Sequence, residues 1–157
     1  EGVPTSRHNL IEDGRLNFLG HNCYTAKREG IRPTGNASGG ARSIPGIGFS
    51  NICFSFKSGT INIIKEADLL TSEKNILLLS RFSGNSDPVS GAFSGVAKNS
   101  RWIQSDGTQR PVQEVMISGN LFDLITQIVS AGDHMHKLSG GSLTPYVLVD
   151  GVSVTAG

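Results

Sequence analysis

The chain has 157 residues, 37% hydrophobic and 17% charged, which suits one domain with a real core. Its 14 basic and 13 acidic side chains nearly cancel, and no run of Lys or Arg exists, which excludes the clustered basic face that nucleic acid requires. No stretch approaches the roughly 18 to 20 apolar residues of a membrane-spanning helix.

Pro4 keeps the first residues irregular. Asp13-Gly14, flanked by Leu10-Ile11 and a strand over Arg15 to Leu19, predicts a hairpin. Asn22 to Gly30 reads as a short helix closed by its glycine. The loop Pro33 to Gly40 invites a phosphate-binding reading, yet no Lys-Ser/Thr follows it and no strong strand precedes it. A surface loop is the simpler reading. Ser50 to Phe56 reads as a strand. Ile61 to Leu70 has near-helical apolar spacing and predicts an amphipathic helix. Asn75 to Phe82, which holds the longest apolar run at Ile76 to Leu79, predicts a buried strand covered on both faces.

Gly84 to Pro88 reads as a turn. Phe93 to Ile103 and Arg110 to Ile117 predict a hairpin around Ser105-Asp106-Gly107. Asn120 is placed to cap a helix over Leu121 to Ser130, accepting near Asp123, with Gly132 ending it. Its stripe of Leu121, Leu124, Ile125, Ile128 and Val129 predicts core. Tyr146 to Val149 and Val152 to Val154 predict a terminal hairpin around Asp150-Gly151. Cys23 and Cys53, in apolar surroundings, read as buried free thiols of a reducing compartment. The chain starts at Glu1-Gly2-Val3-Pro4 with neither methionine nor a signal-peptide pattern, and reads as a piece of a longer protein.

No G-x-S-x-G elbow marks a serine hydrolase. His134 and His136, two apart, would face one way on a strand and suit a metal. Only Asp133 stands near as a further ligand, so two solvated histidines remain the plainer reading. His21 reads as a hydrogen-bonded, partly buried residue. Gly91, Phe93, Ser94 and Gly95 suit either an extended peptide added to a sheet edge or a simple bulge.

An ordered set of motifs resembles the C-terminal half of the TldD/PmbA family, also named modulators of DNA gyrase. It includes Glu1-Gly2-Val3-Pro4-Thr5, Leu10-Ile11-Glu12-Asp13-Gly14, Tyr24-Thr25-Ala26 and Thr34-Gly35-Asn36-Ala37. The most specific part runs Asp87-Pro88-Val89-Ser90-Gly91-Ala92-Phe93-Ser94-Gly95, then Trp102-Ile103, Pro111-Val112-Gln113-Glu114-Val115 and Ile117-Ser118-Gly119-Asn120-Leu121. The resemblance covers nearly all of residues 1–157. It implies an α+β domain, mostly antiparallel and barrel-like sheet with one or two covering helices. It also implies a cytoplasmic zinc peptidase assembly that degrades or trims small unfolded peptides.

In that family the zinc-binding helix, with its glutamate base, sits in an N-terminal half outside these residues. A further cysteine ligand comes from the glycine-rich loop after the last helix. The matching loop here, Lys137 to Leu143, has no cysteine. The chain is therefore similar to the metal-free PmbA/TldE-type subunit, with no catalytic or metal residue of its own and zinc expected in a catalytic partner. The expected partners are its own N-terminal half, a homodimer mate or a TldD-type subunit, and a peptide substrate. Neither nucleic acid nor membrane is expected. Asn36, Asp87, Ser90, Phe93 and Ser94 are the expected peptide-lining residues. A non-proteolytic assembly module is the alternative.

Overall fold

The computed structural model describes residues 1–57, 59–71 and 75–156. It divides into two compact units, Glu1–Cys53 with Lys137–Leu143, and Phe54–His136 with Thr144–Gly157. Strands dominate, with three short helices, so the α+β expectation holds. The barrel-like part of it does not. Among the described residues the strands form five separate open sheets, each ending in two edge strands.

In the first unit β1 (Ile11–Glu12) and β2 (Arg15–Leu16) pair antiparallel. Asp13 and Gly14 between them have φ of 49° and 74°, the double positive φ that a primed hairpin turn needs. The helix α1 spans Cys23–Glu29. The Asn22 side chain accepts from the Thr25 N–H at its start, and Gly30 at φ 70° closes its end. Lys27 and Arg28 sit in the last turn, where the helix dipole favours cations. Both cysteines are exposed and free rather than buried; Cys23 lies on α1, which turns only Ala26 fully inward.

The glycine-rich loop contains a small ribbon, β3 (Ala37–Ser38) with β4 (Gly46–Ile47). Ser50 to Phe56 is not a strand. Only Cys53 makes an isolated bridge, to Leu143. Phe54 and Phe56, which a strand would set side by side, instead meet edge to face at 5.0 Å.

In the second unit the predicted helix at Ile61 to Leu70 splits into β5 (Asn62–Ile64) and α2 (Glu66–Leu69). Ile63 and Ile64 are β-branched and favour the strand once a partner is present. The predicted strand at Asn75 to Phe82 divides into β6 (Ile76–Leu78) and β7 (Arg81–Ser86). The turn therefore falls at Asp87 to Ser90, not at Gly84 to Pro88. Gly84 stays in β7 because it lies opposite Gly95, and an added Cβ there would strike the β8 backbone.

The long hairpin forms but is broken in the middle. β8 (Ala92–Lys98) gives way to β9 (Arg101–Ile103) at Asn99, whose φ of 53° turns the chain. β9 pairs with β10 (Gln109–Pro111), and β8 with β11 (Val115–Asn120). The ribbon thus serves two sheets, one ordered β10-β9-β6 and one that includes β7 beside β8.

The helix α3 (Leu121–Thr126) is shorter than predicted. Ile128, Val129 and Ser130 enter β12 (Ile128–Lys137), and Gly132 lies inside that strand rather than ending a helix. Ser130 to Gly132 run parallel to β5. This long-range pairing overrides the helical spacing, and no residue of α3 is buried. The terminal hairpin is also absent. β13 (Leu143–Val149) joins β12, whereas β14 (Ser153–Ala156) joins β11. The core of this unit is small: Leu69, Ala97, Ile103, Ile117 and Ala131.

Candidate functional site

The turn Asp87 to Ser90 is tied by its own first residue. One Asp87 carboxylate oxygen accepts the Val89 N–H at 2.9 Å, and the other accepts the Ser90 hydroxyl at 2.6 Å. The Ser90 hydroxyl, then the Val89 N–H, hold the Asp87 carboxyl below the ordinary aspartate range. Asn120 locks this turn to α3. Its amide donates to the Ser90 carbonyl at 2.8 Å while its oxygen accepts the Phe122 N–H at 2.9 Å. The cap is as expected, and the donor is Phe122, next to Asp123. The Leu121 N–H donates to the Gly91 carbonyl at 2.8 Å. Gly91 has φ 76°, and a Cβ there would meet the Phe122 ring at 2.5 Å.

Phe93 and Ser94 lie on β8, between β7 and β11. They have no free edge, so a peptide cannot add directly to them. The edge strand beside them is β7, all six residues of which are exposed, and the sheet's other edge is β14. Strand register gives the sheet two unlike faces. Ser153, Ser118, Ser94 and Asn85 stand in one row across four strands. On the other face Phe93 packs over Gly119, and Phe82 meets Phe93 edge to face at 5.9 Å. Phe82 leans over Gly84 and Gly95, which leave room for the ring. The glycine-flanked stretch is thus neither a bulge nor an edge. It is the floor beneath an aromatic pair.

The structure therefore brings Asp87 and Ser90 into contact and sets Phe93 and Ser94 just beyond them on β8. Asn36 belongs to the other unit. Its oxygen accepts the Thr34 hydroxyl at 2.7 Å, and its backbone carbonyl accepts the Gly48 N–H at 2.9 Å. Thr34 in turn accepts from the His21 N–H at 2.7 Å. His21 is thus hydrogen-bonded and part-buried, as expected.

His136 engages Glu66, Nε2 to Oε2, at 2.7 Å and lies 4.5 Å from the Tyr146 ring. Asp133 accepts the Glu66 N–H at 3.2 Å. Sequence reasoning missed Glu66, since 70 residues separate it from His136. His134 is exposed on the same strand. Among the described residues no three His, Cys, Asp or Glu side chains are grouped to hold a metal ion.

Residues 1–156 match the family model described as the PmbA/TldA metallopeptidase C-terminal domain. The Escherichia coli O157:H7 protein named metalloprotease PmbA is 29% identical over 96% of this chain and 31% of its own length. The crystal structure of TldE from Thermococcus kodakarensis superposes with a TM-score of 0.81 at 24% identity, over 99% of this chain and 35% of that one. A Thermotoga maritima structure named for modulation of a DNA gyrase gives a TM-score of 0.74 at 30% identity, over 98% and 34%. The chain spans about a third of the curated relatives it matches, 34% and 31% of the first two. On this match the chain belongs to the PmbA/TldA metallopeptidase C-terminal domain family.

Proposed function

We propose that the chain is one wall of the peptide chamber in a TldD/PmbA-type peptidase, in the subunit that carries no metal. The observation that carries this reading is the open edge of β7, six exposed residues beside a row of hydroxyls and an aromatic pair. An extended peptide added there gains backbone hydrogen bonds, which tolerate many sequences. Asp87, Ser90, Phe93 and Ser94 shape the site from behind β7 and are not its edge. The loop Lys137 to Leu143 carries no cysteine, in keeping with the metal-free subtype. Zinc and the glutamate base belong to a TldD-type partner, and the assembly is cytoplasmic.

The test is mixing. The full-length protein and a metal-bearing relative from the same cell are assayed alone and together on an unstructured peptide. Cleavage only by the mixture, unchanged when His134 and His136 become alanine, supports the proposal. Cleavage by the full-length protein alone, lost with those histidines, overturns the metal-free assignment.

A second reading, an assembly module without a part in proteolysis, draws on α3. Leu121, Phe122 and Ile125 are 45%, 54% and 60% exposed, an apolar set typical of contact surfaces. Partner activity that persists without this domain would favour it.

A further inference from the structure

The sheet of β7, β8, β11 and β14 has a buried face and a polar face, and both run out to β7. On the buried face stand Phe93, Gly95 and Ala97 of β8 with Ile117 of β11, and Ala97 and Ile117 are buried. The same face of β7 carries Phe82, Gly84 and Ser86, which lie opposite Ala97, Gly95 and Phe93. Ser83 and Asn85 stand on the other face, that of the Ser94 and Ser118 hydroxyls.

The ladder decides which β7 residues a peptide can reach. The Asp87 N–H donates to the Ala92 carbonyl at 2.9 Å, so Asn85 and Ser83 also turn their backbone groups toward β8. Those of Ser86, Gly84 and Phe82 turn to the open side. A peptide residue bonded to one of these three lies directly opposite it, with its side chain on the same face. Opposite Gly84 that side chain meets no β7 side chain in its own row. Its neighbour on the face is the Phe82 ring, which leans over Gly84 and is 36% exposed. Behind that ring stands Phe93, edge to face at 5.9 Å. The residues on either side of it in the peptide fall on the face of Ser83 and Asn85. A slip of one residue exchanges the two sets, so the edge reads a pattern and not composition alone.

We propose that Phe82, backed by Phe93, is a specificity-determining residue whose ring receives an aromatic side chain of the peptide at the position opposite Gly84. This rests on the peptide-chamber reading above and names its substrate class: extended segments with an aromatic residue between two polar ones. Aromatic pairs add to the gain from apolar burial, and an edge glycine leaves the space for one.

The experiment compares two isomeric hexapeptides, both capped at each end and otherwise all threonine. One carries its single phenylalanine at the third position and the other at the last. Only the first can set the ring opposite Gly84 and still pair along the whole six-residue strand. Affinities for the full-length protein are measured by calorimetry. In wild type the first isomer binds about tenfold tighter. In Phe82→Thr the two bind equally. Should that variant not fold, Phe82→Leu fills the space over the glycines without a ring, and the preference falls to about threefold. Equal binding in wild type, or a tenfold preference that survives loss of the ring, overturns the proposal. Equal binding that is lost in Ser86→Pro leaves the peptide reading standing and removes only the aromatic subsite. Failure of both peptides to bind overturns the two together.

Discussion

Asp87 shows how one side chain can hold a loop without being buried. Its carboxyl is stabilised as the anion by the Ser90 hydroxyl and the Val89 N–H. A carboxyl lowered by folding contributes stability that is fully present above the ordinary aspartate pKa. That contribution fades as pH falls through the lower folded-state value. Carbon-detected titration should place Asp87 below an ordinary aspartate, and Ser90→Ala should return it upward. A Gly91→Ala change meets both a φ of 76° and the Phe122 ring. It should cost about 1 to 3 kcal/mol in chemical denaturation. Residues of this kind were legible in part. Gly30, Asp13 and Asn120 announce their caps and turns by local chemistry alone. Asn120 also donates to the Ser90 carbonyl, and that second bond depends on a loop 30 residues away, which no local pattern encodes. The Glu66–His136 pair was invisible for the same reason.

Among the elements, the two helices that came out shorter than predicted share one cause. Ile61 to Leu70 and Leu121 to Ser130 both have helical spacing, yet each gives up part of its length to a strand, with Ile63 and Ile64 in β5 and Ile128 and Val129 in β12. The two lost pieces pair with each other, Asn62 to Ile64 alongside Ser130 to Gly132. Neither alone reveals the strand, because each needs the other to exist. What remains of α3 is exposed, so Ile125→Ser should change thermal stability by less than about 0.5 kcal/mol. If α3 is a contact surface, the same variant should lose assembly on a sizing column. The edge β7 admits a sharper test. The Asp87 N–H donates to Ala92, so alternation turns the N–H of Ser86 away from β8. Ser86→Pro should leave the melting curve near wild type and abolish binding of an extended peptide, read by fluorescence anisotropy.

For the whole molecule, the family and the α+β class were readable from ordered motifs and from strand-rich patterning. The five-sheet arrangement was not, because one hairpin ribbon is divided between two sheets at a residue, Asn99, that looks ordinary in sequence. The buried set is small, so each member matters. Ile103 is 1% exposed and lies between Ile76 on β6 and Gln109 on β10. Ile103→Ala should cost about 2 to 5 kcal/mol, measured by urea unfolding. The ribbon from Ala92 to Asn120 also bears on the order of folding. Its tip is closed by local bonds, Gln104 N–H to Thr108 and Gly107 N–H to Gln104, and such a hairpin forms in about 1 to 10 μs. Both sheets can grow from this early template, β6 onto one end and β7 onto the other. The joining of β14 to β11, or β5 to β12, closes far longer loops and comes late. Substitutions at the Ser105 to Thr108 tip should therefore slow refolding, whereas those in β14 should mainly speed unfolding.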